Sequence, residues 1–472
     1  MPDAQPHIAV VGTGLTGTVL ALHLMEALPD GARLSLFGTT TEPGRGLAYA
    51  TPDEAHLLNV PAYRMSLYPD DPHHFMRWLW AEADTGPDSS VVPPAGYTYV
   101  PRARFGDYVE HAFSEVAARN GNRLRVELYR EEVTACHETG TGVRLQTREG
   151  SEVLVEAAAL CLGNASGRLP LAAGAITGAA SARIIDDPWR DPRLAAIDPD
   201  DAVLLVGTGL TMVDRAISLK SLGHRGPIVA LSRHGLVPHA QVEPRPAPVL
   251  PVSLEGTPGL LALMRDIRRA AKQKIAEGGD WRAIVDGLRP VTQSLWQGFS
   301  GAEKRRFLRH LNAYWSVHRH RIAPPVASGV DELLRSGQMT VLAGKLQAIG
   351  GDGDRLAVLY RPRGAGSAET LAVDWVVNCA GLDRANADLD RPVLAQMIAD
   401  GHARLDELGI GLDATADSAL LGRDGTASRR LYAAGPTTVG RFFEIVAVPD
   451  IRVQCRQIAQ RMASAGPLTG TA

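Results

Sequence analysis

Apolar residues recur along this chain in two rhythms. Ile8 to Val11 is a short unbroken apolar run, as expected of a strand buried on both faces. After a glycine-rich hexapeptide, Val19, Leu22, Met25 and Leu28 follow at helical spacing, and Leu34 to Phe37 is a second apolar run. Residues 8–37 therefore read as strand, turn, helix, strand. The same order returns far downstream, with a strand at Ala202 to Val206, a helix at Leu210 to Leu222 and a strand at Ile228 to Leu231. Between these units, residues 44–101 carry Gly, Pro, Tyr and His without a period and read as a long irregular stretch, a length usually kept for function. Arg123 to Leu162 alternates as strands do and ends in Ala159-Leu160-Cys161-Leu162-Gly163, and Trp375 to Gly381 ends in the same manner. A Pro-rich stretch from Pro244 to Pro251 leads into helical spacing from Gly259 to Ile322, which Pro324-Pro325 closes. A last helix is expected near Pro449-Asp450, since proline is tolerated in a first turn.

The two glycine turns carry the candidate chemistry. Gly12-Thr13-Gly14-Leu15-Thr16-Gly17 is a complete G-x-G-x-x-G between strand and helix. Its first glycine makes the tight turn, its second lets the backbone approach a pyrophosphate, and its third lets helix and strand pack closely. The pyrophosphate would rest on the helix N-terminus. An acid that would hold the ribose hydroxyls is missing, because the second strand ends in Gly38 followed by three threonines. Adenosine binding is expected to lean on a threonine hydroxyl such as Thr39, or on Glu42. The second turn has Gly207 and Gly209 before Leu210 and Thr211, with Met212 in place of the third glycine. Its following strand ends in Ser232-Arg233, a hydroxyl beside a guanidinium, which suits a 2′-phosphate and favours NADPH over NADH.

Composition narrows the alternatives. The 472 residues suffice for two or three domains, and 49 Lys and Arg against 52 Asp and Glu leave a net charge of -3. That balance offers no electrostatic footprint for nucleic acid or an anionic membrane. Cys136, Cys161, Cys379 and Cys455 lie far apart, so neither a disulfide scaffold nor a zinc ribbon is expected. No run of 18 apolar residues occurs, and MPDAQP has no features of a secretion signal, so a cytoplasmic chain with reduced thiols is expected. There is no H-E-x-x-H, no G-x-S-x-G and no metal-spaced His/Cys cluster, so no bound metal and no protein nucleophile are expected.

Four segments carry a family resemblance: GRGLAYATPDEAHLLNVPAYRMS (44–66), LLVGTGLTMVDRAISL (204–219), WSVHRHRIAP (315–324) and EIVAVPDIRVQ (444–454). They resemble the bacterial FAD/NAD(P)-binding proteins, which include a flavin-dependent urate hydroxylase and aspartate N-monooxygenases that form nitrosuccinate. In that family the position of Gly38 is usually acidic, so this chain departs from the pattern there. The resemblance covers nearly the whole chain and implies an α/β fold with two Rossmann-like dinucleotide-binding domains. An FAD domain is expected over 1–195, completed by 370–472. An NADPH domain is expected over 196–369, with a helical insert at about 255–325. FAD is assigned to Gly12–Gly17, Thr39, Glu42, Arg45, Gly46, Asn59, Gly163, Gly381, Gly435 and Asp450, and NADPH to Gly207, Gly209, Leu210, Thr211, Ser232 and Arg233. Tyr49 and Met65 would lie near the flavin.

The resemblance implies a single-component monooxygenase. NADPH would reduce FAD, and oxygen captured on the flavin would pass to a small polar substrate, by N-oxygenation of an amino-acid amine or hydroxylation of a purine. Partners are then a small molecule and molecular oxygen. Two other readings stay open: an NAD(P)H-dependent reductase acting on a quinone or a protein, and a nucleotide-sensing protein whose flavin is structural. Helical spacing also places Phe307, Leu311, Tyr314, Trp315, His318 and Ile322 on one inward face, with Arg321 beside it and Arg319 and His320 outside. An inward Arg321 needs an acid or an anionic ligand, so His318 and Arg321 join the candidates for substrate contact. Trp78 and Trp80 are expected to anchor a helix to the core.

Overall fold

The computed structural model describes residues 5–39, 43–85, 99–164, 167–251, 259–352, 354–381 and 391–464. The chain starts with β1 (His7–Val11), α1 (Leu15–Ala27) and β2 (Arg33–Phe37). Ile8 to Val11 are buried, and so is every residue of α1 from Thr16 to Met25, because further helices cover the side of α1 that a surface helix would leave wet. Next come α2 (Gly46–Tyr49), α3 (His74–Thr85) and α4 (Arg102–Asn120), so the stretch read as irregular, 44–101, contains two helices, α2 and α3, among its described residues. Strands β3 (Arg125–Tyr129), β4 (Val133–Glu138), β5 (Val143–Thr147), β6 (Glu152–Val155) and β7 (Ala157–Leu160) follow.

After β8 (Ile184–Ile185), the second strand-turn-helix unit is β9 (Val203–Val206), α5 (Leu210–Ser221) and β10 (Ile228–Ser232). Six helices come next: α6 (Leu260–Ala276), α7 (Arg282–Gly287), α8 (Thr292–Gly298), α9 (Gly301–His310), α10 (Asn312–Arg319) and α11 (Pro324–Arg335). They fill the connection to β11 (Met339–Asp352), which β12 (Arg355–Pro362), β13 (Glu369–Val373) and β14 (Trp375–Asn378) follow. The chain closes with α12 (Pro392–Asp400), β15 (Ala419–Leu421), β16 (Ala427–Ala433) and α13 (Val448–Ser464).

The chain divides into two compact units: residues 1–52, 61–165 and 384–472 in the first, 53–60 and 166–383 in the second. The first unit holds a six-stranded sheet in the order β15-β16-β7-β1-β2-β3 and a three-stranded antiparallel sheet β4-β5-β6. From β16 to β3 all pairings are parallel. Helix α1 packs against α4 and α13, and α12 packs on β4. One apolar core joins Ala9, Val11, Leu160 and Leu431 to Val393, Leu394 and Met397 of α12. The second unit holds a seven-stranded sheet in the order β13-β12-β11-β10-β9-β14-β8, parallel from β11 to β8. Its core gathers Leu204, Val206, Leu231, Ile349, Val358 and Val376. In each sheet the first strand of the strand-turn-helix unit lies between the strand it connects to and one reached from elsewhere, β2 and β7 around β1, β10 and β14 around β9. Those are topological switch points, where α/β sheets bind ligands at the carboxyl ends of their strands.

Two expectations about single faces fail. Helix α9 stops at Leu311, whose backbone (φ -115, ψ -26) departs from helical values, and α10 restarts from there with its phase reset. Tyr314 is consequently 40% exposed, while Arg319, expected on the flank or outside, is buried. In α3, Phe75, Met76 and Leu79 make the buried face; Trp78 stacks on Phe75 and Tyr108, and Trp80 is 41% exposed, so only the first tryptophan anchors the helix.

Candidate dinucleotide sites

The first turn is shaped by its own backbone. Gly12 has φ 107, its N–H donates to the Phe37 carbonyl at 2.7 Å, and a Cβ there would lie 2.3 Å from the Cys161 carbonyl oxygen. Only glycine adopts that geometry at that closeness. A Cβ at Gly17 would lie 1.7 Å from the Gly12 carbonyl oxygen, which sets the contact between α1 and β1. Gly14 differs. Its φ is -71, and the nearest atom to a Cβ there is the Gly46 Cα at 3.6 Å, so the protein itself leaves that position room. Gly14 is the N-cap of α1, with no side-chain cap and no acid in the first turn, so the donors of the helix start and its dipole remain available to an anion. Leu15 and Thr16 form that first turn.

The missing acid at the end of β2 has a steric cause. A Cβ at Gly38 would lie 1.9 Å from Thr13 Oγ1, so the buried Thr13 side chain fills the space that any larger residue at position 38 would need. Thr13 and Gly38 are a complementary pair, which spacing alone does not reveal. We expect Gly38→Asp to lower stability by about 1 to 3 kcal/mol through overpacking, and Thr13→Gly in the same chain to recover it. Full tolerance of Gly38→Asp in a thermal melt would contradict the fit. Thr39 is exposed, whereas Glu42 lies outside the described residues.

The second turn repeats the first. Gly207 has φ 111, donates to the Leu231 carbonyl at 2.7 Å, and a Cβ on it would lie 2.2 Å from the Cys379 carbonyl oxygen. Gly209 caps α5 as Gly14 caps α1, again without a side-chain cap, and a Cβ there would meet nothing within 4 Å. Met212 is fully buried, so the third position is filled with apolar bulk. Ser232 Oγ lies 2.8 Å from Thr208 Oγ1 and accepts from the Gly235 N–H at 3.0 Å, and Thr208 Oγ1 donates to the Leu236 carbonyl, which holds the loop after β10 against the turn. Arg233 is exposed and has no ion-pair partner among the described residues.

A family model described as FAD-NAD(P)-binding matches residues 9–165. Residues 9–165, from β1 to just past β7, are thus similar to an FAD-NAD(P)-binding domain. Nitrosuccinic acid synthase of Aspergillus oryzae (strain ATCC 42149 / RIB 40) is 27% identical in a match that covers 44% of this chain and 34% of that relative, so the match spans about a third of the relative's length. Among solved structures, L-lysine 6-monooxygenase from Pseudomonas syringae aligns with a TM-score of 0.65 at 16% identity, over 98% of this chain and all of that one. The ornithine N-hydroxylase of Kutzneria sp. 744, in a form with reduced FAD, NADP+ and L-ornithine, aligns with a TM-score of 0.64 at 15% identity over 98% of this chain and 99% of its own. At such identities the likeness is one of fold.

Other expected contacts of the FAD-NAD(P)-binding domain have partners of their own. Arg45 donates to Asp107 at 2.7 Å and Glu110 at 3.0 Å, and Gly46 sits against Gly14. The Gly163 carbonyl accepts from Arg391, and the Gly435 N–H donates to Gln454 Oε1 at 2.8 Å. Asp450 lies in the first turn of α13, and Gly381 is exposed after β14. Tyr49 packs its ring on Phe105 at 4.8 Å, and burial pushes its phenol up to about 12. Met65 is buried just after a short 3-10 turn. Asn59 belongs to the second unit, where its carbonyl accepts from Gln241 Nε2.

Segment 53–60 is held by a buried polar cluster that spacing did not signal. His56, 1% exposed, places Nε2 2.8 Å from Ser218 Oγ and 3.1 Å from the Asp214 carbonyl of α5. Ser218 Oγ donates to Asp53 at 2.7 Å, and Arg215 reaches His56 while lying over the Trp189 ring at 4.4 Å. Within the six-helix insert, Arg321 lies past the end of α10, beyond the non-helical backbone of His320 (φ -98, ψ 77), and is buried, so its inward direction does not come from helical phase. Its Nη2 donates to both oxygens of Asp286, at 2.6 and 2.8 Å, and Arg245 pairs with the same carboxylate at 2.8 Å. Trp281 lies under the Arg321 guanidinium, and His318 and His239 pack their rings on that indole. Burial alone would raise the Asp286 carboxyl, but Arg321 and Arg245 outweigh it and hold it below the ordinary carboxylate range. A depressed carboxyl stabilises the fold at neutral pH, and the stabilisation is lost only as pH falls below that range. Asp286→Asn should cost about 3 to 5 kcal/mol, because the buried Arg321 and the half-buried Arg245 lose their shared carboxylate; an unchanged denaturation midpoint would show that the pair is not needed.

Proposed function

We propose that this chain is an NADPH-dependent flavin N-monooxygenase acting on a small substrate with an amine. The supporting observation is the repeated turn: two sheets, each with an uncapped helix start, a glycine pressed on the carbonyl of the neighbouring strand end, and a second glycine with free space around it. That open space is what a pyrophosphate needs, so the residues present fit FAD at Gly12 to Gly17 and NADPH at Gly207 to Thr211. The unpaired Arg233 supplies a cation for the 2′-phosphate. When bound, FAD supplies transfer of two electrons from NADPH and activation of dioxygen. The chain's own share is to bind both nucleotides by helix starts and to order them. Overall, an amine, dioxygen, NADPH and a proton give a hydroxylamine, NADP+ and water. The names of the similar proteins, a nitrosuccinic acid synthase, an ornithine N-hydroxylase and an L-lysine 6-monooxygenase, support an amino acid as the substrate class.

Reduction of a disulfide is a poor alternative. All four thiols are buried, and burial pushes Cys136 and Cys379 up to about 12 and raises Cys161 and Cys455 well above the ordinary thiol value, so none is a ready thiolate. The deciding experiment records the flavin spectrum of the purified protein, then NADPH and oxygen consumption against amino acids, purines and quinones. Amino-acid-stimulated oxygen uptake with a hydroxylamine product is expected. Equal NADPH oxidation by a quinone without oxygen would assign the chain as a reductase instead.

A further inference from the structure

Away from both glycine turns, three potential ligands converge on one side of the first unit. His137 of β4, Asp400 at the end of α12 and His402 just beyond it each offer one atom, and the three atoms lie within 4.8 Å of one another. Gln396, one turn before Asp400, decides how they face. Its Oε1 accepts the Cys136 N–H at 2.7 Å, which fixes the amide, so Nε2 is the atom that meets His137 Nδ1 at 3.3 Å and Asp400 Oδ2 at 2.7 Å. As Nε2 carries only N–H donors, His137 Nδ1 is the acceptor in that contact. It lies 3.3 Å from the Asp400 carboxylate oxygen, so two acceptors face one another. His402 brings a third, its ring edge-on to His137 at 6.1 Å. The end of α12 adds its partial negative charge.

Gln396 Nε2 bridges those two acceptors, and a cation can replace it as their common partner. We infer that His137, Asp400 and His402 form a binding site for a divalent transition-metal ion of the zinc class, completed by water. Two imidazoles and one carboxylate suit zinc, cobalt or nickel and not magnesium or calcium, which take oxygen ligands. In a tetrahedral zinc site the ligand atoms stand about 3.3 Å apart, given bonds of roughly 2.0 Å, so each side chain closes in by under about 1 Å. The ion ties the three-stranded sheet to the C-terminal end of α12, whose Val393, Leu394 and Met397 sit in the core beneath β1 and β7. Its role is to brace, and it takes no part in oxygen chemistry.

The test uses the flavin-loaded protein, stripped with EDTA and dialysed, and titrated with Zn2+ by calorimetry and in thermal melts. One ion per chain and a raised melting midpoint are expected, with binding at least tenfold weaker in His402→Ala and in Asp400→Asn. Both variants should match the stripped parent in flavin content and melting, since the site lies at the surface. X-ray absorption at the zinc edge should show two imidazoles in the parent. Absence of saturable binding, binding unchanged in both variants, or a shell without two imidazoles would overturn the site.

Discussion

Gly14→Val should purify as a folded protein without colour. A Cβ at Gly14 meets only the Gly46 Cα, at 3.6 Å, within the chain, so the variant is expected to keep its sheet and helix. The methyls occupy the space through which a pyrophosphate approaches the start of α1. Losing two charge-assisted hydrogen bonds at about 1.5 kcal/mol or more each removes at least about 3 kcal/mol, roughly a hundredfold or more in affinity. Gly12→Ala and Gly17→Ala are the contrasting pair, since their Cβ atoms would strike backbone at 2.3 and 1.7 Å and the fold itself should fail. Absorbance of bound flavin and circular dichroism separate the two outcomes. A yellow Gly14→Val protein with full flavin content would move the flavin site elsewhere.

Gly209→Val should do the reverse and stay yellow while losing its reductant. Nothing lies within 4 Å of a Cβ at Gly209, so folding is unaffected, and FAD at the first turn is untouched. The rate of flavin bleaching at limiting NADPH should fall by at least tenfold, again through the pyrophosphate contact. Arg233→Ala refines the assignment, because it should weaken NADPH about tenfold and leave NADH unchanged. Equal weakening of both nucleotides would remove Arg233 from the 2′-phosphate, and undiminished bleaching in Gly209→Val would remove the second turn from nicotinamide binding.

The α/β class and both strand-turn-helix units were legible because their signals are local. An apolar run, a glycine turn and a 3.6-residue period lie within thirty residues of one another. The strand end at Gly38 was legible as an oddity, but its cause was not, since Thr13 reaches position 38 only once β1 and β2 are paired. Periodicity misplaced Tyr314 and Arg319 because it assumed one helix across Leu311, where the chain has two. The partner of Arg321 was left open for a related reason: Asp286 lies on α7, Arg321 follows the end of α10, and only tertiary packing brings them together. The His137, Asp400 and His402 group has no sequence spacing to betray it, as its members come from a strand and a distant helix end.

The brief excursion at residues 53–60 limits how this protein can be taken apart. The chain passes between the units four times, after residues 52, 60, 165 and 383. A gene fragment for residues 166–383 alone would synthesise the whole seven-stranded sheet yet lack the imidazole and carboxylate that plug Ser218 and Arg215 of α5. Those polar groups would then flank the very helix that starts at Gly209. Recombination that swaps the second unit between relatives by a single cassette therefore carries a hidden mismatch. A workable chimera must exchange eight residues of the donor's N-terminal region along with it.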